Sequence, residues 1–178
     1  DLADNALLAI HAITSGMDPE MENRLWFSIY FDRRPMCMRH HEPSEFDQAG
    51  KHLESLTLMR IMTGSDLNQD REDAFWSFIE NHTKSDGLIY YHPDQPGEPP
   101  ANPYTQARTL LARICRYELQ ADPEMRRKIE LTIDSMLDHK MTRGFGFGPL
   151  LPAIRWWQLT GYPNAMALAK LDFDALEQ

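Results

Sequence analysis

Three groups of side chains in this chain have the types and spacing that acid–base chemistry or sugar binding would need. The first lies between residues 39 and 47 and consists of Arg39, His40, His41, Glu42, Glu45 and Asp47. A general acid or base requires a titratable group in a cleft that tunes its pKa. Adjacent His40 and His41 cannot both face one point on a strand, so at most one would act. The alternative interpretation of this group is a solvated polar loop.

The second group follows a turn in the middle of the chain and consists of Asp86, Tyr90, Tyr91 and His92. Aromatic faces bind sugar rings through the C–H edges of the sugar, and a tyrosine adds a hydroxyl group. Asp86 precedes Gly87, however, and an aspartate before a glycine is typical of a turn. Core packing is an equal alternative for Tyr90.

The third group combines a glycine-aromatic loop, residues 143–148, with Trp156 and Trp157. The loop fits neither GxGxxG nor GxxxxGK[ST], so it is not a nucleotide motif. The two tryptophans point to different faces of a helix, so one of them is expected in the core. Trp156 is the candidate for contact with a substrate.

These groups allow two reactions on a carbohydrate. Hydrolysis of a glycosidic bond needs two carboxylates set apart across the sugar, and the candidates are Glu45, Asp47 and Asp86. β-Elimination on a uronic acid would instead use a tyrosine or histidine as base and an arginine beside the substrate carboxylate. The candidates for that lyase reaction are His41, Tyr90, His92 and Arg39. No HExxH or comparable spacing exists, and neither a metal nor another cofactor is expected.

The elements that position these residues are predicted to be paired helices. Residues 44–92 illustrate the unit, with a helix, a tight turn around Gly64, a second helix and a long loop. Gly64 can adopt the left-handed conformation that ends a helix. Apolar residues recur at helical spacing on both helices. They are Leu53, Leu56, Met59, Ile61 and Met62 on the first helix, and Leu67, Ala74, Phe75, Phe78 and Ile79 on the second.

Similar corners recur along the chain at Gly16, Gly64, Asp122 and Gly161. Longer loops alternate with them at residues 32–43, 84–103 and 140–149, and residues 25–31 are expected to run extended. This recurrence predicts stacked hairpins. The predicted fold is all-α, a single domain over residues 1–178 of tandem antiparallel helical hairpins that form part of an (α/α) toroid or α-solenoid. The long loops of a toroid would share one rim, where a site could open.

Composition restricts the partners. The chain has 178 residues, a net charge of −9 and a pI near 5.2, which argues against a nucleic acid or an anionic membrane as partner. No run of about 18 apolar residues exists, so no membrane span is expected. Cys37 and Cys115 are too few for a disulfide framework or a tetrahedral zinc site, and both are expected to be free core thiols.

Three pieces of the sequence resemble a known family: MRIMTGSDLNQDREDAFWSFI, SDGLIYY and GFGPLLPAIRWWQLTGYPNAMALAKL. Their alternating turns and loops resemble the (α/α)6 toroid of the six-hairpin glycosidases, and within that group bacterial proteins related to beta-L-arabinofuranosidases. The resemblance implies a carbohydrate substrate. Those arabinofuranosidases use a cysteine nucleophile beside further cysteines and a glutamate on zinc. Cys37 and Cys115 alone cannot supply that cluster, so the mechanism is not carried over.

Six hairpins would need a longer chain than this one, and a further chain or segment would then complete the toroid. A soluble protein of the bacterial cytoplasm or periplasm is expected. The first functional hypothesis is a glycoside hydrolase that acts through paired carboxylates at the long-loop rim. The alternatives are a non-catalytic helical scaffold that binds glycan or protein, and a polysaccharide lyase with a tyrosine or histidine base. A cleft with two carboxylates would favour an enzyme, whereas a flat apolar surface would favour the scaffold.

Overall fold

The computed structural model of this protein describes residues 1–143 and 148–176, with only the backbone of residues 42 and 43. Helices make up 62% of the structure, and the regular structure of the described residues is completed by two small two-stranded sheets. The all-α prediction is therefore confirmed. Contacts divide the chain into two compact units, Asp1–Asn81 and His82–Gln178. The single domain and the toroid or solenoid arrangement stay predictions.

The first unit combines helices with four short strands. Its helices are α1 (Leu2–Ser15), α2 (Glu42–Thr63) and α3 (Gln69–Asn81), and a 3-10 turn covers Pro19–Met21. Its strands form two antiparallel pairs, β1 (Met17–Asp18) with β2 (Arg24–Leu25) and β3 (Ser28–Tyr30) with β4 (Cys37–Arg39). The prediction of a loop over residues 32–43 is wrong in part, because this segment contains β4 and the start of α2.

A buried ion pair fixes the turn between α2 and α3. Gly64 ends α2 in the left-handed conformation, with a φ of 64°, as the sequence predicts. Arg60, near the end of α2, donates from Nε to Oε2 of Glu72 on α3, and both residues are buried. The two remaining guanidinium nitrogens donate to the carbonyl oxygens of Ser65 and Leu67. One side chain therefore holds both the turn and the contact between the helices.

The core of the first unit is formed by residues of α1, α2 and α3. Its largest buried members are Ile10, Phe46, Leu53, Leu56, Phe75, Phe78 and Ile79. The ring of Phe78 lies 4.8 Å from that of Phe46 and 6.2 Å from that of Phe75, measured between centroids. Ile61 and Met62 were predicted on the apolar side of α2 but are exposed. Helical spacing therefore assigned more residues to the buried side of α2 than the neighbouring helices cover.

The second unit contains four helices among its described residues, and local signals start or end them. They are α4 (Pro103–Leu119), α5 (Pro123–Asp138), α6 (Leu150–Thr160) and α7 (Pro163–Asp174). Asn102 and Asp122 cap α4 and α5 by accepting hydrogen bonds from backbone N–H groups of the first turn. Gly161 ends α6 with a φ of 71°. No helix in the described ranges is both long enough and apolar enough to cross a membrane.

Two buried polar side chains of α4 hold the segment that precedes this helix. Gln106 accepts a hydrogen bond from the backbone nitrogen of Ile89 (3.0 Å) and donates to the Ile89 carbonyl (2.8 Å). Arg113 donates to the hydroxyls of Thr83 (2.8 Å) and Thr132 (3.2 Å). The buried backbone of this irregular segment is thereby paired, as a buried loop requires.

Gly87 lies where this segment passes closest to α5. Its φ is +81°, and a Cβ atom added there would lie 3.0 Å from the backbone nitrogen of Thr132 and 3.1 Å from Cγ of Leu131. The Thr132 hydroxyl also donates to the Gly87 carbonyl at 2.9 Å. Both the backbone conformation and the lack of space therefore demand glycine.

We predict that Gly87→Ala destabilises the protein much more than Gly97→Ala. Gly97 has a similar φ of +78°, but nothing lies within 4 Å of an added Cβ. Gly97→Ala should cost about 1 kcal/mol through its conformation alone, whereas Gly87→Ala adds overlap with backbone and should cost about 3 kcal/mol. Urea unfolding of both variants measures the difference. Equal losses would mean that the close approach of Gly87 to α5 does not affect the free energy of unfolding.

We also predict that Glu72→Gln lowers the free energy of unfolding by about 3 kcal/mol, because it leaves the Arg60 guanidinium buried without its counter-charge. The matched control is Glu124→Gln, which breaks the ion pair of Glu124 with Arg127 on the exposed surface of α5. Solvent screens that pair, so the control should hardly change the unfolding midpoint. A loss in Glu72→Gln as small as that in the control would contradict the prediction.

Candidate functional site

His40 lies at the centre of a polar network in the first unit. It sits between the end of β4 and the start of α2. Its Nε2 donates to Oδ2 of Asp18 at 3.1 Å. Its Nδ1 lies 3.0 Å from Oε1 of Glu45, but without the angle of a hydrogen bond. The ring of Trp26 stacks on the imidazole, with centroids 4.3 Å apart. A histidine held between two carboxylates has the components of a general acid or base.

The carboxylate of Glu45 is fully engaged by this network. Its side chain is only 1% exposed. Oε2 accepts from the guanidinium of Arg24 at 3.1 Å, and Oε1 accepts from the backbone N–H of His41, the residue that caps α2. The guanidinium of Arg24 also lies over the ring of Phe78. Glu45 therefore joins β2 and the β4–α2 link to the first turn of α2, and it presents no oxygen to solvent.

Asp18 shares His40 with Glu45. One of its oxygens accepts from His40, and the other accepts from the backbone nitrogen of Glu20 (3.0 Å) and so caps the 3-10 turn. The hydrogen bond from His40 is the main reason that the pKa of Asp18 lies below its usual value of 3.8. Asp18 therefore stays ionised at neutral pH and holds the imidazole in place.

The other members of the first predicted group lie around this network. His41 approaches the hydroxyl of Ser44 with its Nδ1 (2.9 Å). Arg39 places its guanidinium over the ring of Tyr30, and Asp47 is half-buried on α2. The structure therefore brings together His40 and Glu45 from the predicted set.

Sequence reasoning missed Asp18, Arg24 and Trp26 as parts of this network. An aspartate before a proline, as in Asp18-Pro19, is typical of the start of a helix, and that role accounts for only one of the two oxygens of Asp18. The pairing of β1 with β2 brings Arg24 beside Asp18. Two-residue strands give no periodic pattern from which such a pairing could be read.

In the second unit, Asp86 acts as a turn residue. Its Oδ1 accepts from the backbone nitrogen of Leu88 (3.0 Å), and its Oδ2 accepts from the hydroxyl of Tyr90 (2.7 Å). Tyr90 is buried, and the ammonium group of Lys84 lies 4.0 Å from the centre of its ring. Both oxygens of this candidate catalytic carboxylate therefore stabilise the turn, and the ring of Tyr90 packs as the core alternative foresaw.

The remaining candidates of the second unit differ in exposure. The hydroxyl of Tyr91 accepts from Asn102 (2.8 Å), and His92 is exposed. Trp156 is 0% exposed and packs edge-on against Tyr117, so it offers no ring face to a substrate. Of the two tryptophans, Trp157 is the exposed one. Residues 144–147 of the predicted glycine-aromatic loop lie outside the described residues.

Beside the histidine network, an exposed apolar surface covers the ribbon, which we define as residues 27–39 with β3 and β4. Ile29 lies directly opposite Met38 in the antiparallel register. Because side chains alternate along a strand, residues two positions away share their face. This apolar face consists of Phe27, Ile29, Phe31, Met36 and Met38, which are between 43% and 69% exposed. Antiparallel sheets on a surface usually turn polar side chains to solvent, whereas the solvent-facing side of this ribbon is apolar.

The apolar face could have been suspected from the sequence, because residues 25–31 are rich in β-forming and aromatic residues. The sequence does not show which side faces solvent, since alternation does not tell the buried face from the exposed one.

The two cysteines differ in burial. Both are free, but Cys37 is half-buried and only Cys115 lies in the core. Among the described residues, no group of three His, Cys, Asp or Glu side chains is arranged to hold a metal ion.

No family model, curated protein or solved structure matches this chain. The resemblance to the six-hairpin glycosidases therefore stays a prediction from the three sequence pieces that carry it.

We predict that Tyr90 and Tyr162 ionise later than ordinary tyrosines. Burial first, and then the hydrogen bonds to Asp86 and Asp134, raise the pKa of each to about 12. A raised pKa means that the folded state favours the neutral phenol. The stability this gives is complete below the unfolded pKa of about 10 and is lost as the pH rises through about 12.

Ultraviolet absorbance of tyrosinate during an alkaline titration checks this expectation. Tyr90→Phe and Tyr162→Phe should each remove one late-ionising group, and Asp86→Asn should move the Tyr90 midpoint towards 10 because it removes a neighbouring negative charge. If all tyrosines ionise together at a pH of about 10 while the protein is still folded, the two phenols are not buried and hydrogen-bonded to Asp86 and Asp134.

Proposed function

We propose that this protein is a non-catalytic helical scaffold that binds another protein through the apolar face of its ribbon. The observation that supports the proposal is the exposed, contiguous set of Phe27, Ile29, Phe31, Met36 and Met38 on one side of β3 and β4. Exposed apolar patches of this kind mark interaction sites in folded proteins. Burial of such a patch against a partner removes apolar area from water, which favours association.

The composition of the ribbon favours a protein partner over a glycan. Interface cores are enriched in aromatic residues, methionine and arginine and depleted in lysine. The ribbon has three aromatic residues, two methionines, three arginines and no lysine. Aliphatic side chains such as Ile29 lack the flat π-face on which a sugar ring would stack.

The hydrogen bonds of two of the three candidate acids, Glu45 and Asp86, favour binding over hydrolysis. A glycoside hydrolase needs one carboxyl group that can transfer a proton and another that faces the sugar. Both oxygens of Glu45 and both oxygens of Asp86 accept hydrogen bonds within the protein. Each acid therefore already has a structural role.

Site-specific photo-cross-linking in cells of the source organism tests the proposal. A benzophenone amino acid replaces Phe31, and in the control it replaces Leu8 of α1, which is equally exposed (69% and 66%). Position 31 should yield one discrete adduct with a second protein, and position 8 should not. Adding Ile29→Thr and Met38→Thr should lower the yield about tenfold, if these central residues are hot spots, whose truncation costs at least about 2 kcal/mol.

A screen of aryl glycosides tests the hydrolase hypothesis in parallel. The proposal expects no turnover. Turnover that Glu45→Gln or Asp86→Asn abolishes, in variants whose circular dichroism shows an intact fold, would overturn it.

A further inference from the structure

The ribbon carries unpaired positive charge as well as an apolar face. The guanidinium groups of Arg33 and Arg39 lie over the ring of Tyr30, at 4.6 Å and 5.6 Å from its centre. Among the described residues, neither arginine forms an ion pair with a carboxylate. The ribbon has a net charge of +2, from three arginines and Asp32, in a chain whose net charge is −9. In so acidic a protein, two exposed arginines that have no carboxylate partner within the described ranges call for an explanation.

Tyr30 holds the two guanidinium groups over one ring. A guanidinium over an aromatic ring is held by the ring quadrupole while its N–H groups stay free for other acceptors. Two such groups on one ring form a fixed pair of donors, which suits a carboxylate because arginine forks match its two oxygens. Less side-chain entropy is then lost on binding than for two mobile arginines.

The ribbon also has an open edge. Within the described residues, β3 and β4 pair only with each other, so each has an outer edge without a ladder partner, and β4 is the strand that contains Met38 and Arg39. An extended segment that pairs with a free edge presents alternate side chains to the two faces of a sheet. On this ribbon, one set would meet the apolar face around Met38, and the other would meet Tyr30, Arg33 and Arg39.

We propose that the partner contributes an extended acidic segment, in which apolar residues alternate with Asp or Glu, and that this segment adds to the edge of β4. The inference rests on the proposed function, and it adds the chemistry of the partner. Its apolar residues pack on the apolar face, and its carboxylates pair with Arg33 and Arg39. Complementary charge also steers the encounter and rejects basic segments.

Two other occupants fit less well. A second copy of this chain bound ribbon to ribbon would bring together two surfaces of net charge +2, which like-charge repulsion disfavours. An anionic membrane is a wide surface, so it would face the rest of a chain whose net charge is −9, whereas a segment on β4 meets only the ribbon and its charge of +2. An acidic extended segment satisfies the charge, the alternation and the open edge together.

Selection from a phage-displayed library of random peptides tests the inference, with the full chain immobilised. The wild type should enrich peptides in which apolar residues alternate with Asp or Glu. The variant Arg33→Gln/Arg39→Gln should enrich apolar peptides without the acidic bias, and Ile29→Thr/Met38→Thr should enrich nothing. Arg127→Gln, which changes an exposed arginine of α5, is the matched control and should select the same peptides as the wild type.

A double-mutant cycle on the best selected peptide measures the carboxylate contact. Replacing Glu by Gln in the peptide should weaken binding about tenfold, as expected for a hydrogen bond to a charged group. The same loss should follow from Arg33→Gln/Arg39→Gln, and the two changes together should cost little more than either alone.

Each remaining outcome decides between the two proposals. Apolar peptides without acidic bias, still lost in Ile29→Thr/Met38→Thr, would overturn the acidic partner and leave the scaffold function standing. If wild type and the apolar-face variant enrich the same peptides, both proposals fail. Ribbon-dependent dimerisation in analytical ultracentrifugation would identify a second copy as the occupant. Co-sedimentation with phosphatidylglycerol vesicles that requires Arg33 and Arg39 would identify a lipid surface, and either result would overturn the acidic segment.

Discussion

The burial of one carboxylate organises the first unit. An ionised group removed from water must be met by donors, or it would be protonated or the structure would open. Glu45 contacts Arg24, His40 and the backbone N–H of His41. The hydrogen-bond donors among them, Arg24 and the His41 N–H, belong to β2 and to the link between β4 and α2, so satisfying one charge draws the strands onto the start of α2. Once the link is fixed, alternation along β3 and β4 decides which side chains face outward.

The second unit must likewise provide partners for buried polar groups, in this case for the backbone of an irregular segment. Its irregular segment before α4 has buried backbone that needs partners, and Gln106 supplies them by both accepting from and donating to Ile89. Asp86 closes the turn of the same segment by accepting from Leu88 and Tyr90. In both units a polar residue that resembles a catalytic candidate in the sequence therefore stabilises irregular backbone. Residue type alone does not separate these two roles, because both need a carboxylate with well-placed donors.

The helices could be predicted from sequence because their signals are local. Asp122 followed by a proline marks the start of α5, and Gly161 marks the end of α6 within a residue or two of where they occur. The site could not be predicted in the same way, because its contacts span long separations in the chain. Glu45 and Arg24 are 21 positions apart in the sequence, and strands and turns lie between them. The choice between Trp156 and Trp157 likewise depended on which face of α6 its neighbours cover, and helical spacing does not contain that information.

The ribbon breaks the usual pattern of a small antiparallel sheet, and this departure carries the functional argument. A two-stranded sheet on a protein surface ordinarily turns polar side chains to water. Here Ile29 and Met38 face solvent, while Arg33 and Arg39 rest on Tyr30 without a carboxylate partner among the described residues. Natural sequences that break a local rule do so mainly at functional or strained sites. An exposed apolar face and two arginines without a carboxylate partner among the described residues lie on the same few residues, and a single bound acidic segment would cover the face and pair with the arginines.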